Sequence, residues 1–267
     1  SVVSTEAGDG VEPFGVYLGT GWGPLSETND FLERLFKSGD QFSSPTDFVG
    51  SVHNAVAGQL ALRFGATGPN VTVTAGDVSF EQAVLAASLL ADERPFFLCG
   101  VDEAHHPLTA LFDPSVGPDG VAADGGGMLL ARLAPEDEPG TKLRLLVLER
   151  AGAGAEALVA ALGGADRVRD RYGAIFVGIP CANVGEGCIL RDGFVATTGF
   201  PGMVLPYREA IGEFATSTAA ATALAVQVVE RGFLPAVPIR GASVGLDGKG
   251  ILLLNLGTNC SAMEVMP

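Results

Sequence analysis

Apolar and polar positions along this chain follow two rhythms. Val11–Gly21, centred on Phe14-Gly-Val-Tyr-Leu, reads as a short strand running into a glycine-rich turn, Gly19-Thr-Gly-Trp-Gly-Pro. Over Asn29–Lys37, Phe31, Leu32, Leu35 and Phe36 recur at helical spacing and form one apolar face. Ser51–Phe64, small and apolar throughout, predicts a second helix. Val71–Ala75 alternates as a strand, and Ser79-Phe-Glu-Gln82 has the form of a capping box opening a helix through Leu90. Phe96–Val101 is a further apolar strand, and Asp113–Asp124 is a Pro/Gly/Asp loop. Gly127–Leu133 and Lys142–Leu148 look like paired strands across the acidic turn that starts at Pro135.

After Glu149 the Gly/Ala stretch that begins at Ala151 suggests a division into halves, residues 1–150 and 151–267. The order of elements then repeats: helix Ala155–Leu162, strand Ala174–Ile179, a glycine-rich loop, helix Thr216–Val229, and strands Val237–Leu246 and Gly250–Asn255. Alternation of strands and helices predicts an α/β fold with parallel or mixed sheets. Thr216–Val229 is apolar on every side and must be enclosed.

Composition narrows the function. The charge balance is 16 Lys+Arg against 31 Asp+Glu, net −15, which disfavours nucleic acid and anionic membrane surfaces as partners. With 47% hydrophobic and 18% charged residues the chain has the makings of a buried core and not of a disordered segment. The first residues lack the basic and apolar regions of a secretory signal, so a cytoplasmic protein is expected. Cys99 and Cys260 read as buried small hydrophobes, and the interval between Cys181 and Cys188 is too long for a redox or zinc Cys-x-x-Cys motif. His105 and His106, being adjacent, point opposite ways and read as a solvated loop, and His53 reads as a core histidine. Gly19-x-Gly-x-Gly lacks the rest of a dinucleotide fingerprint. No metal and no cofactor is expected.

Several segments, in order, resemble the β-ketoacyl synthases of the thiolase superfamily. Gly68-Pro-Asn-Val-Thr-Val-Thr-Ala-Gly76-Asp77 resembles the strand and turn that present the family's nucleophilic cysteine. Ser43-Ser-Pro-Thr46 with Ser51-Val-His-Asn54 resembles its approach, and Phe97–Glu103 and Asp124-Gly-Gly-Gly the segments that follow. Tyr207-Arg-Glu-Ala-Ile-Gly-Glu213 resembles the Lys-Ser-x-Ile-Gly-His segment, and Asn255-Leu-Gly-Thr-Asn259 the final Phe-Gly-Gly-Thr-Asn turn. The resemblance covers most of residues 11–267. It implies a thiolase-like α-β-α-β-α layered sandwich of two pseudo-repeated halves with mixed sheets, shorter than active synthases in its middle and second half. It also implies dimerisation along the strand Asn70–Ala75, which would otherwise present an apolar edge.

The catalytic positions depart from the family. Gly76 stands at the nucleophile, Pro180 at the first histidine, Arg208 at the lysine and Glu213 at the second histidine. Glycine cannot be acylated, and a carboxylate repels a developing enolate where a donor would stabilise it. Asp77 could act as a buried general base, or simply sit at a helix N-terminus. Glu213 and Arg208, five apart, could form an ion pair where a loop permits it. Cys181 is the remaining candidate nucleophile, or else an inert thiol.

The resemblance therefore implies a catalytically silent, chain-length-factor-like subunit that forms a homodimer or pairs with a cysteine-bearing ketosynthase and shapes its acyl cavity. It would meet carrier protein only indirectly, because carriers are acidic and this chain has few cations. The alternatives are a diverged acyl-transfer or hydrolytic enzyme using Asp77, Glu213 or Cys181, and a homodimeric ligand-binding or scaffold protein.

Overall fold

A computed structural model of the chain describes residues 2–4, 12–39, 44–117, 120–150, 152, 154–235 and 243–267. In chain order, the elements of the first 150 residues are β1 (Val2–Ser4), β2 (Gly15–Gly19), α1 (Leu25–Lys37), α2 (Pro45–Ser51), α3 (Ala55–Phe64), β3 (Asn70–Val73), α4 (Ser79–Leu90), β4 (Phe96–Asp102), α5 (Leu108–Phe112), β5 (Gly125–Leu133) and β6 (Lys142–Arg150). There follow α6 (Ala155–Ala161), α7 (Ala165–Arg171), β7 (Tyr172–Gly178), α8 (Val184–Thr198), β8 (Met203–Pro206), α9 (Tyr207–Ile211), α10 (Ser217–Arg231), β9 (Phe233–Leu234), β10 (Val244–Gly245), β11 (Gly250–Leu256) and β12 (Asn259–Met266).

The strands are arranged as two copies of one pattern. The sheet order is β3-β2-β4-β5-β1-β6-β12-β11-β7-β8. In the first five, β2 is parallel to β3 and β4, while β4–β5 and β5–β1 are antiparallel. In the second five, β7 is parallel to β8 and β11, while β11–β12 and β12–β6 are antiparallel. The copies join at β1 and β6, which pair antiparallel. β6 thus takes in the second set the place of β1 in the first, and the Gly/Ala stretch at 151–155 falls within the second set.

Side-chain alternation along the strands shows the layers, since successive residues face opposite ways. Val16, Leu18, Phe97 and Cys99 pack with Ala57 of α3 on one face of the first set. Tyr17, Phe96 and Leu98 face the other way, into a central core with Phe80 of α4 and Ala219 and Ala225 of α10. From the second set, Phe176, Ile251, Leu253 and Met263 enter the same central core. Their neighbours Ile175, Val177, Leu252 and Leu254 turn outward to Leu158, Val168 and Phe194 of α6, α7 and α8. The stack is therefore α, β, α, β, α, with α4 and α10 as the middle layer. α10 lies so close to β4 and β5 that a Cβ at Gly100 or Gly127 would collide with Ala219.

Several sequence expectations need correction. Gly127–Leu133 and Lys142–Leu148 do not pair with each other, because β1 lies between β5 and β6 and bonds to both. The single helix read over Ser51–Phe64 is two: Ser44 caps α2 by accepting from the Asp47 N–H at 3.2 Å, and Val52 leaves the helix with extended dihedrals. His53 lies in the turn between those helices and is exposed, not in the core. The glycine-rich stretch after β7 is mostly the helix α8, where Gly187 lets the backbone approach Ile179 and the Leu256 carbonyl. Ser79 does not cap α4 as the first residue of a capping box; Val78 precedes the helix without a side-chain cap. The strand read over Val237–Leu246 falls largely outside the described residues, apart from β10. Among the described residues no helix is long and apolar enough to cross a membrane.

One buried ion cluster binds the second set of strands. Glu264 on β12 is fully buried and accepts from Arg171 Nε and Nη2 at 2.8 and 2.9 Å, from Arg144 Nη1 at 3.1 Å and from the Tyr172 hydroxyl at 2.7 Å. Burial alone would raise its pKa, but the hydrogen bonds from Arg171 and Tyr172 and the two guanidinium charges hold it below the usual carboxylate range. Glu264→Gln is expected to cost about 3 kcal/mol, since it leaves two partly buried arginines facing a neutral amide. Urea denaturation at pH 7 measures this, and a change below about 1 kcal/mol would show that the cluster is not a stabilising element.

Candidate functional site

The candidate site forms where the ends of four elements meet over the middle layer. A buried carboxylate sets their positions. Asp102, at the end of β4, accepts from the Gly21 N–H at 2.7 Å and the Thr20 hydroxyl at 3.2 Å, both just past β2. Its second oxygen accepts from the Thr216 N–H at 2.6 Å and hydroxyl at 2.7 Å, at the start of α10. Two strand ends and one helix start are thereby fixed to a single group.

Between β3 and α4 the chain makes a tight 3-10 turn, Gly76–Val78. Gly76 has φ of 58°, in the left-handed region where a residue with a side chain is strained by roughly 1–2 kcal/mol. The Ser79 hydroxyl stabilises this turn by accepting from the Ala75 N–H at 2.8 Å and donating to the Gly76 carbonyl at 2.7 Å. That local role accounts for the absence of the expected capping box.

Asp77 points inward from the turn and is buried. Its Oδ1 accepts from Asn259 Nδ2 at 3.2 Å, and its carbonyl accepts from Asn255 Nδ2 at 3.0 Å. Both asparagines flank the β11–β12 turn, in which Gly257 is required because a Cβ there would collide with Asp77 Oδ2 and Pro180. Asp77 Oδ2 has no hydrogen-bond partner. Burial raises the Asp77 pKa, opposed by the Asn259 hydrogen bond and the Arg208 charge.

Pro180 is buried beside that turn, and Cys181 follows in a 3-10 turn that leads into α8. Arg208, from α9, is 6% exposed and donates through Nη1 to Glu213 Oε1 at 2.7 Å and to the Phe214 carbonyl at 3.2 Å. Gly212, with φ of 97°, ends α9 and turns Glu213 back, which is how two residues five apart come to pair. Glu213 Oε1 also accepts from the Cys181 N–H at 3.3 Å. Burial raises the Glu213 pKa, with the Arg208 charge acting against it.

Glu81, in the first turn of α4, was not singled out by sequence. It is wholly buried, accepts from the Ser261 hydroxyl at 2.8 Å through Oε1, and leaves Oε2 unpartnered. Its pKa is pushed up to about 7 by burial. The available signal was a lone acid in an otherwise apolar helix, hidden by the capping-box pattern that overlaps it.

The structure thus brings Gly76, Asp77, Pro180, Cys181, Arg208 and Glu213 into one neighbourhood, with Glu81, Asn255, Asn259 and Ser261 completing it. Three carboxyl groups share one guanidinium, whose Nε and Nη2 are without partners. Among the described residues, none of five cavities of about 480 to 850 Å3 is lined by Gly76, Asp77, Arg208 or Glu213. His105 and His106 lie elsewhere, lining a separate cavity beside α5.

The layered fold is that of the thiolase-like enzymes. Residues 21–116 match the family model described as β-ketoacyl synthase, N-terminal domain. A β-ketoacyl synthase from Burkholderia phymatum is similar over 97% of this chain and 77% of its own, with a TM-score of 0.70 at 13% identity. The ishigamide ketosynthase/chain length factor is similar over 96% and 75%, with a TM-score of 0.66 at 14% identity. A type II polyketide ketosynthase bound to a hexaketide, in complex with its acyl-carrier protein, is similar over 98% and 79%, with a TM-score of 0.69 at 16% identity. No curated protein sequence matches the chain. The chain thus has the fold of the β-ketoacyl synthases, and residues 21–116 carry the sequence pattern of their N-terminal domain.

The Glu81 shift has a definite consequence for stability. Between about pH 4.5 and 7 the folded chain holds a proton on Glu81 that the unfolded chain releases, so stability falls as pH rises through that window. The penalty reaches on the order of 3 kcal/mol above it. Glu81→Gln is expected to flatten the stability profile between pH 5 and 8, as measured by urea denaturation; an unchanged slope would place the proton elsewhere.

Proposed function

We propose that this chain is a catalytically silent β-ketoacyl synthase-like subunit. It would pair with an active, cysteine-bearing synthase and shape that partner's acyl cavity in fatty-acid or polyketide-type biosynthesis. The observation that carries the reading is the set of bonds at the degenerate positions. The turn residue Gly76 has no side chain to acylate, and its neighbour Asp77 is held by Asn259. Arg208 and Glu213 are bound to each other in the places of the family's lysine and second histidine. A decarboxylating condensation needs a thiolate and donors around a developing oxyanion, and here carboxylates occupy that region.

The pairing has its own support. β3 is the outermost strand of the first set and, among the described residues, is hydrogen-bonded only to β2. On α3, which packs against β3, Leu62 and Phe64 are exposed. An open edge beside apolar side chains is a surface that partners cover. The net charge of −15 argues that an acidic carrier protein would dock on the partner and not on this chain.

A second reading is favoured by the free Oδ2 of buried Asp77, whose raised proton affinity suits a general base acting on a small substrate.

Co-expression with a cysteine-bearing ketosynthase from the native host, followed by size exclusion with light scattering, is expected to give a one-to-one heterodimer. A chain that forms only homodimers, or none, in the presence of that synthase would overturn the proposal. In the same preparation Asp77→Ala and Cys181→Ala are expected to leave product formation by the heterodimer unchanged. Loss of an activity of the isolated chain in either variant would favour the second reading.

A further inference from the structure

A cavity of about 850 Å3 lies away from the degenerate site, between α2, α3 and the ends of β2 and β4. That size matches pockets that enclose a small organic molecule, which are largely apolar with a few placed polar groups. Its inner wall is aliphatic: Leu18 from β2, Val101 from β4, Val52 from the turn before α3 and Val56 from α3.

The ionisable groups on the wall, His53 apart, are all acidic, among neutral Thr20, Thr46, Asn54 and Gln59. Glu27 from the first turn of α1 and Glu103 just past β4 both line it. Among the described residues neither has a salt-bridge partner; Glu103 accepts only from the Ser26 N–H, at 3.0 Å through one oxygen. Asp47 also lines the cavity, but Arg34 answers it at 2.5 Å, and Asp102 is committed to its four donors. No Lys or Arg is among the described lining residues, and exposed His53 is the one basic side chain there. The net charge of −15 deepens the negative potential over this mouth.

We propose that this cavity binds an amphiphilic cation: an organic ammonium whose apolar body lies among Leu18, Val52, Val56 and Val101 and whose head meets Glu27 and Glu103. The aliphatic wall supplies affinity for any alkyl chain, and the carboxylates select the sign of its head group. Fatty carboxylates, which share the chain but carry the opposite charge, are rejected. The proposal stands apart from the reading of this chain as a synthase partner and does not need it.

Isothermal titration at pH 7.5 and low salt with octylammonium, octanol and octanoate is the test. Octylammonium is expected to bind about tenfold or more tighter than octanoate, and to weaken as salt is added. Glu27→Gln and Glu103→Gln should each lower its affinity about threefold and leave octanol unaffected. Gly58, which lines the cavity on α3, has no atom within 4 Å of where its Cβ would be. Gly58→Phe should therefore fill the space without disturbing the fold, abolishing octylammonium binding while thermal melting is retained. Octanoate binding as tightly as octylammonium, binding indifferent to the two glutamates, binding preserved in Gly58→Phe, or no binding of octylammonium would each overturn the proposal.

Discussion

Four hydrogen bonds to one buried carboxylate, Asp102, hold this architecture in register. Each of its oxygens takes two donors, which offset part of the cost of burying it, although burial still holds its pKa above the usual carboxylate range. Those donors belong to the end of β2 and the start of α10, segments 195 residues apart between Gly21 and Thr216. With the start of α10 fixed, the short connection from α9 carries Arg208 and Glu213 to the turn at Gly76. The glycines at 100 and 127 permit the same approach from the strand side, since any larger residue would push α10 off the sheet.

The charge inventory around Gly76 is mainly acidic. Here Asp77, Glu81 and Glu213 surround one arginine, and burial keeps each of the three more readily protonated than in water. The result is a polar interior in which hydrogen bonds tie the Gly76–Val78 turn and α4 to the final hairpin, and Arg208 of α9 to Glu213. Glu264, by contrast, is matched by two arginines and a tyrosine and stays ionised, so the two buried acid centres respond to pH in opposite directions.

Much of this was legible in the sequence. The apolar strand Phe14–Leu18, the alternation in Val71–Ala75 and the helix Thr216–Val229, apolar on every side, pointed to layered sheets around an enclosed helix, and collinear motifs brought Gly76, Pro180, Arg208 and Glu213 to one place. What the sequence concealed had local physical causes. Gly187 in α8 serves close packing against Leu256 and Ile179, while the number of glycines there suggested a loop. A three-residue strand, β1, is too short to carry a periodic signal, and without it β5 and β6 seemed to be partners. Glu81 is buried by tertiary packing alone, and Asn255 and Asn259 gain their role only when the last hairpin folds back onto Asp77.

The seam between the two sets of strands has an implication for the order of assembly. Val2 and Val3 pair on one side with Leu133 and Arg132, and on the other with Leu143 and Lys142. These partners are more than a hundred residues downstream, so β1 is synthesised well before β5 and β6. Loop closure over such a separation is slow compared with local hairpin formation. The two halves can each begin to collapse on local contacts, but the join between them is a late event, made by a strand that is synthesised well before its partners.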